Sequence, residues 1–183
     1  MTALFEVDAE QGMAQPTYNP LATTPYEVDS ISFPRSGSFA DQCLHLLRYA
    51  IPAPSVRNTQ PWKFRLTDAG IAVFADYTRR LHVADPDNRE LLMSVGAAIT
   101  NLRVAAPHFS FAAEVEYNTG SARELPVAFV KLEQREVSRA STAYLDSLFP
   151  MITKRHTNRC TLGYSLEQPA PTPRRPVEEC IIS

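Results

Sequence analysis

Pro54-Ser55-Val56-Arg57-Asn58-Thr59-Gln60-Pro61-Trp62-Lys63-Phe64 is the stretch around which the chain is organised. Two prolines bracket a run of small hydrogen-bonding side chains. The backbone is thereby restricted to turn and extended conformations, and Ser55, Asn58, Thr59 and Gln60 are able to point into one cleft. A helix is predicted before this stretch and a strand after it, a rigid scaffold of the kind that carries binding loops. The same composition also suits a plain polar turn that Trp62 anchors to the core.

Upstream, Phe39, Cys43, Leu46, Leu47 and Ala50 recur at helical spacing, with Ser38 placed to cap the start and Pro52 and Pro54 to end the helix. Residues 1–38 are rich in Pro, Thr, Ser and acids without a sustained period. They read as a flexible N-terminal extension or a strap, with Tyr18, Tyr26 and Phe33 as its anchors. Downstream, strands are predicted over 62–66 and 71–76, joined through Thr67-Asp68-Ala69-Gly70 as a hairpin. Arg79 and Arg80 follow and are read as solvating a loop in preference to binding an anion. Asp85-Pro86-Asp87-Asn88 is a helix-start cluster, with acids at the positive end of the coming dipole. The helix it opens, over 89–106, carries Leu91, Leu92, Val95, Ala98, Ile99, Leu102 and Ala105 as a broad apolar stripe. Gly96, Ala97 and Ala98 keep one part of that stripe thin enough for another backbone to approach. Two more strands are predicted over 111–117 and 127–134, and a further helix over 141–154. The proline tract over 168–176 leaves no room after it for another packed element.

The 183 residues, 44% of them hydrophobic, suffice for one domain with a proper core, or one and a half small ones. A formal net charge of -2 gives no basic footprint for nucleic acid. Cys43, Cys160 and Cys180 are odd in number and far apart, which suits a reducing, cytoplasmic compartment and offers no zinc-ligand spacing. The first residues lack the basic and apolar regions of a secretory signal, and no run reaches the roughly 18 apolar residues of a membrane span.

Arg155, Thr157 and Arg159 set two guanidinium forks about a hydroxyl, a pattern that a phosphate fits. Basic residues at this position also favour the C-terminal dipole of the preceding helix. Taken with the earlier loop, this stretch resembles the nitroreductase family of flavin enzymes. The family's Pro-Ser-x-x-Asn-x-Gln-Pro-Trp loop is matched from Pro54 to Trp62, and its Arg-Arg-Ser-x-Arg phosphate motif is matched loosely by Arg155-His156-Thr157-Asn158-Arg159. Residues 94–106 are similar to the family's central helix. The loop here precedes the phosphate motif, an order that resembles the tandem, internally duplicated Acg-like members, in which one chain imitates a dimer.

The resemblance implies an α+β fold with an antiparallel-rich sheet and packed helices. It further implies a first repeat over 39–150, followed over 151–183 by the start of a truncated second repeat with a proline-rich tail. It also implies FMN as cofactor, with Arg155, Thr157 and Arg159 on its phosphate, Pro54, Ser55 and Asn58 at the isoalloxazine edge, Gln60 supporting the loop and Arg57 facing substrate. The flavin carries the chemistry, so neither a catalytic triad nor a metal is expected. Electrons pass from NADH or NADPH to a nitroaromatic, quinone or similar small-molecule acceptor, and a homodimer is one way to replace the missing half. His156 stands where the phosphate motif has an Arg, which weakens that anion site and makes it pH-sensitive. Two other readings stay open: a flavin-sequestering or partner-binding module without turnover, and a prenylated one, since Cys180-Ile181-Ile182-Ser183 fits the C-a-a-X pattern.

Overall fold

The computed structural model describes residues 5–7, 14–16, 30–120, 122–135, 139–155 and 174–182. Strands β1 (Phe5–Val7) and β2 (Ala14–Pro16) pair with each other. The remaining elements are α1 (Phe39–Ala50), β3 (Trp62–Thr67), β4 (Gly70–Ala75), α2 (Arg89–His108), β5 (Phe111–Tyr117), β6 (Ala128–Gln134) and α3 (Arg139–Lys154). This is an α+β arrangement: β3 to β6 form one antiparallel sheet in the order β3-β4-β6-β5, and α2 packs on it between α1 and α3.

Alternation along the strands decides which face meets the helices. Trp62 and Phe64 on β3, Ile71, Val73 and Ala75 on β4, Ala128, Val130 and Leu132 on β6, and Phe111 on β5 are all buried. The registers Phe64↔Val73, Ile71↔Val130 and Val130↔Val115 bring them into cross-strand rows. The opposite face is polar, with Arg65 over the ring of Phe74 and Lys131 paired to Glu133 at 3.2 Å.

The helix ends follow local chemistry. Ser38 Oγ accepts from the Asp41 amide at 3.1 Å while Asp41 Oδ2 accepts from the Ser38 amide at 2.9 Å, a capping box that satisfies two donors at once. At α2, Asn88 takes a left-handed conformation and leaves the capping to Asp85, whose buried carboxylate accepts from the amides of Glu90 and Leu91 at 3.2 and 2.9 Å. Close approach between α1 and α2 occurs at Asn101, whose amide donates to the Tyr49 carbonyl at 3.2 Å, and at buried Ala98. Gly96, read from sequence as part of that thin face, meets nothing within 4 Å of where a Cβ would stand, so no neighbour requires a glycine there.

Phe33, read from sequence as an anchor of the N-terminal extension, is buried and stacks on Phe109 with ring centroids 4.5 Å apart. Tyr18 and Tyr26 lie outside the described residues. One expectation is corrected: the chain packs again after the proline tract. Glu178–Cys180 form a single 3-10 turn, and Ile181 then bridges to Phe64 in parallel, with the Ile182 amide donating to the Phe64 carbonyl at 2.8 Å. The outer edge of β3 is thus partly covered by the chain's own last residues. No helix among the described residues is long and apolar enough to cross a membrane.

Candidate functional site

The loop between α1 and β3 holds three left-handed non-glycine residues, Arg57 (φ 48°), Asn58 (φ 57°) and Gln60 (φ 48°). Each such residue costs on the order of 1 kcal/mol against the ordinary right-handed backbone, so the surroundings must over-determine the shape. They do so through the side chains that the sequence singled out. Ser55 Oγ accepts from the Gln60 amide at 3.0 Å, and Thr59 Oγ1 donates to the Val56 carbonyl at 2.9 Å. Ser94 on α2 accepts from the Val56 amide at 3.3 Å, and the Asp76 amide donates to the Pro61 carbonyl at 2.9 Å. Ser55 and Thr59 thus help build the loop from within, and Gln60 is buried.

Carbonyls along and just before the loop are met by arginines. Arg155 Nη2 donates to the Pro52 carbonyl at 2.9 Å, and Arg174 Nη1 to the Ala53 carbonyl at 3.0 Å. Arg79 Nη1 reaches the Thr59 carbonyl at 3.0 Å, and Arg175 Nη1 the Gln60 carbonyl at 3.1 Å. Four guanidinium groups from three separate parts of the chain are thus gathered on one loop, and Arg57 adds an exposed fifth cation at its tip. Such a concentration of forked donors makes a field that favours anions. Arg79 departs from its sequence reading as a solvated residue, because its target carbonyl exists only once the loop has folded.

Of the residues proposed from sequence, Pro54, Ser55, Arg57, Asn58, Gln60 and Arg155 all fall on this one assembly. Thr157 and Arg159, with His156, lie outside the described residues. Two further residues, absent from the sequence reading of the site, touch its side chains directly. Arg174 Nη1 donates to Asn58 Oδ1 at 2.8 Å, and the Arg175 amide donates to Gln60 Oε1 at 2.8 Å. In sequence, only their adjacency within the proline tract marked them. The thiol of Cys180, next on the same segment, is fully buried and pushed up to about 11 by that burial. A buried, protonated thiol is the opposite of what attachment of a prenyl group requires. A separate hollow over β5 and β6, lined by Arg103, Glu114, Tyr117, Lys131 and Glu133 among others, mixes both signs of charge and holds none of the site residues.

Asp76 fastens the loop to the end of β4. Its buried carboxylate lies 3.2 Å from Lys63 Nζ and 3.6 Å from Arg79 Nε, and accepts from Thr78 Oγ1 at 2.6 Å. Burial pushes its acidity toward a higher pKa, but the Thr78 hydroxyl and the Lys63 ammonium outweigh it, so the group sits below its ordinary value. A carboxylate depressed on folding contributes stability that is present above the unfolded pKa of about 4 and lost as pH falls through the folded value. Asp76→Asn is therefore expected to lose about 1 kcal/mol at pH 7, discounted because Lys63 and Arg79 are each about a third exposed, and to flatten the loss of stability below about pH 4. Urea midpoints at pH 7 and pH 3 read both effects; an unchanged difference between the two pH values would remove Asp76 as the source.

Over 70 residues the chain is 37% identical to the Mycobacterium tuberculosis (strain ATCC 25618 / H37Rv) protein named "Putative NAD(P)H nitroreductase Rv3131", a match covering 38% of this chain and 20% of that protein. It is likewise 37% identical over 70 residues to "Putative NAD(P)H nitroreductase acg" of the same strain, covering 38% of this chain and 21% of the relative. The matched stretch thus spans about a fifth of the length of either relative. No family model matches the chain.

Proposed function

We propose that this chain carries the flavin loop of an FMN-dependent oxidoreductase of nitroreductase type, with residues 39–150 organised like the first repeat of the tandem Acg-like members. The observation that carries this reading is that Arg155, the first residue of the second motif, donates to the carbonyl of Pro52, two residues before the first motif and 103 positions away. The donor set suits the cofactor. FMN brings a dianionic phosphate and a ring edge with both donors and acceptors, and the loop offers clustered guanidinium groups and the amide of Asn58.

In this reading Arg155, Thr157 and Arg159 hold the phosphate. Pro54, Ser55 and Asn58 contact the ring edge, Gln60 keeps the loop in shape, and exposed Arg57 faces the substrate. When bound, FMN supplies the redox chemistry, accepting a hydride from NADH or NADPH and passing electrons to a nitroaromatic, quinone or similar small molecule. The protein's part is to bind and orient. The strained backbone, held by Ser55, Thr59 and Ser94, fixes the Asn58 amide before any ligand arrives, so little ordering is left for binding. A second copy of the chain in a homodimer would supply further flavin contacts.

The test is the absorbance of purified protein after addition of FMN and desalting, with Asn58→Ala/Arg155→Ala alongside. Trp62 is the sole tryptophan and begins the strand after the loop, so quenching of its emission gives an independent titration. The parent is expected to keep its flavin bands. The double variant, losing one charge-assisted and one neutral hydrogen bond together worth about 3 kcal/mol, should bind about 100-fold more weakly. A parent that stays colourless while folded by circular dichroism would overturn the proposal. Retained flavin leads directly to assays with both nicotinamides and a nitroaromatic acceptor.

A further inference from the structure

The segment 174–182 makes contacts that an ordinary proline-rich tail does not. Its two arginines engage the loop in sequence order, Arg174 on Asn58 Oδ1 and the Ala53 carbonyl, Arg175 on Gln60 Oε1 and the Gln60 carbonyl. Arg175 is also tied within its own segment, donating from Nη2 to the Glu179 carbonyl at 2.6 Å and lying 3.8 Å from the Glu179 carboxylate. Further on, Cys180 is buried in the core and the Ile182 amide pairs with the Phe64 carbonyl on the free edge of β3. The segment thus has an apolar foot on the sheet and a cationic head on the loop. The head takes the acceptor oxygens of the same two amide side chains that the loop presents.

We propose that 174–182 is a latch: a strap that closes over Asn58 and Gln60, opens without unfolding the sheet, and exposes those two side chains only when it opens. Five hydrogen bonds from Arg174 and Arg175 join its head to the loop, whereas strands β3 and β4 share a full ladder from Trp62↔Ala75 to Thr67↔Gly70. A segment attached by a handful of bonds at an edge opens at far lower free energy than a paired strand inside a sheet. The latch itself rests on the contacts given above. Its consequence, that a ligand whose ring edge donates to the loop competes with Arg174 and Arg175 for the acceptor oxygens of Asn58 and Gln60, rests on the cofactor reading.

Native-state hydrogen exchange on the full chain and on Arg174→Ala/Arg175→Ala tests it, with FMN titrations of both proteins followed by Trp62 emission. The amides of Arg175 and Ile182 are expected to exchange together, well before those of Ile71, Val73 and Val130. The variant should speed the first pair at least tenfold and leave the second set unchanged. FMN should bind the variant about tenfold more tightly than the parent, and in the parent it should accelerate exchange at Ile182. Exchange of Arg175 and Ile182 only with the core, or no change in the variant, would overturn the latch. Weaker FMN binding by the variant would overturn it as well, since the arginines would then serve the ligand instead of shielding the loop. If neither protein takes FMN but the local exchange pattern holds, the latch stands and the cofactor reading falls.

Discussion

Trp62→Ala is expected to lower the stability of the folded chain by about 4 kcal/mol, the range set by truncating fully buried large aromatics. Trp62 has no exposed surface, stands opposite Ala75 on the inner face of the sheet, and is the first residue of β3 after the loop. Removing its ring takes away transfer free energy and leaves a cavity whose walls are a sheet on one side and the loop's anchor on the other, neither free to collapse. Against the roughly 5–15 kcal/mol that holds a domain of this size together, that is a large part of the whole. Because the variant has no tryptophan left, urea unfolding is followed by circular dichroism. Trp62→Phe separates packing from polarity. The indole N–H finds no acceptor among the described residues, so phenylalanine gives up volume but no hydrogen bond, and its cost should stay within about 1.5 kcal/mol. Equal losses in the two variants would mean that the indole nitrogen is bonded after all; a loss below about 1 kcal/mol in Trp62→Ala would mean that Trp62 does not anchor the loop.

What the sequence disclosed about this region was whatever is written within a few residues. The capping box needs only Ser38 and Asp41, and the hairpin needs only the turn between Thr67 and Gly70; both are visible in a short window. The acidic cluster before α2 was legible as a helix start, yet the choice of Asp85 over Asn88 as the capping group depends on the left-handed φ of Asn88, which no spacing reveals. The loop itself was legible as a constrained turn rich in hydrogen-bonding side chains. Its fastening was not, because the partners of its carbonyls lie 20 residues away at Arg79, 103 at Arg155 and 121 at Arg174. An arginine in sequence carries no mark of which distant carbonyl it will meet, since the two come together only in the folded chain. The tail was missed for a related reason. Val177, Cys180 and Ile181 are too few and too close together to show a period, and their burial depends on the free edge of β3, which exists only in the assembled sheet.

Gly70→Ala is expected to cost at least about 3 kcal/mol, although in sequence the position reads simply as the last residue of the four-residue connection between two strands. Gly70 has φ +149°, a region that side chains rarely enter, and an added Cβ would stand 2.1 Å from the Val130 carbonyl oxygen and 3.1 Å from the Leu132 nitrogen. Both neighbours are backbone of β6, fixed by pairing to β4 on one side and β5 on the other, so neither can yield without breaking a ladder. The strain therefore falls on the seam between the two halves of the sheet, and β3, with the loop and the latch attached to it, lies entirely on one side of that seam. A midpoint lowered by roughly 8–12 °C is expected on heating, while the fraction still folded should keep the parent's exchange at Arg175 and Ile182, since no contact of the latch is touched. Gly96→Ala supplies the opposite sign in the same fold: nothing lies within 4 Å of its Cβ position and it sits inside α2, so the substitution should add about 0.5–1 kcal/mol. Were both glycines to respond alike, the close approach of Val130 would not be the reason for the glycine at 70. If they respond with opposite signs, the β4–β6 seam is the joint on which the loop's side of the sheet is hung.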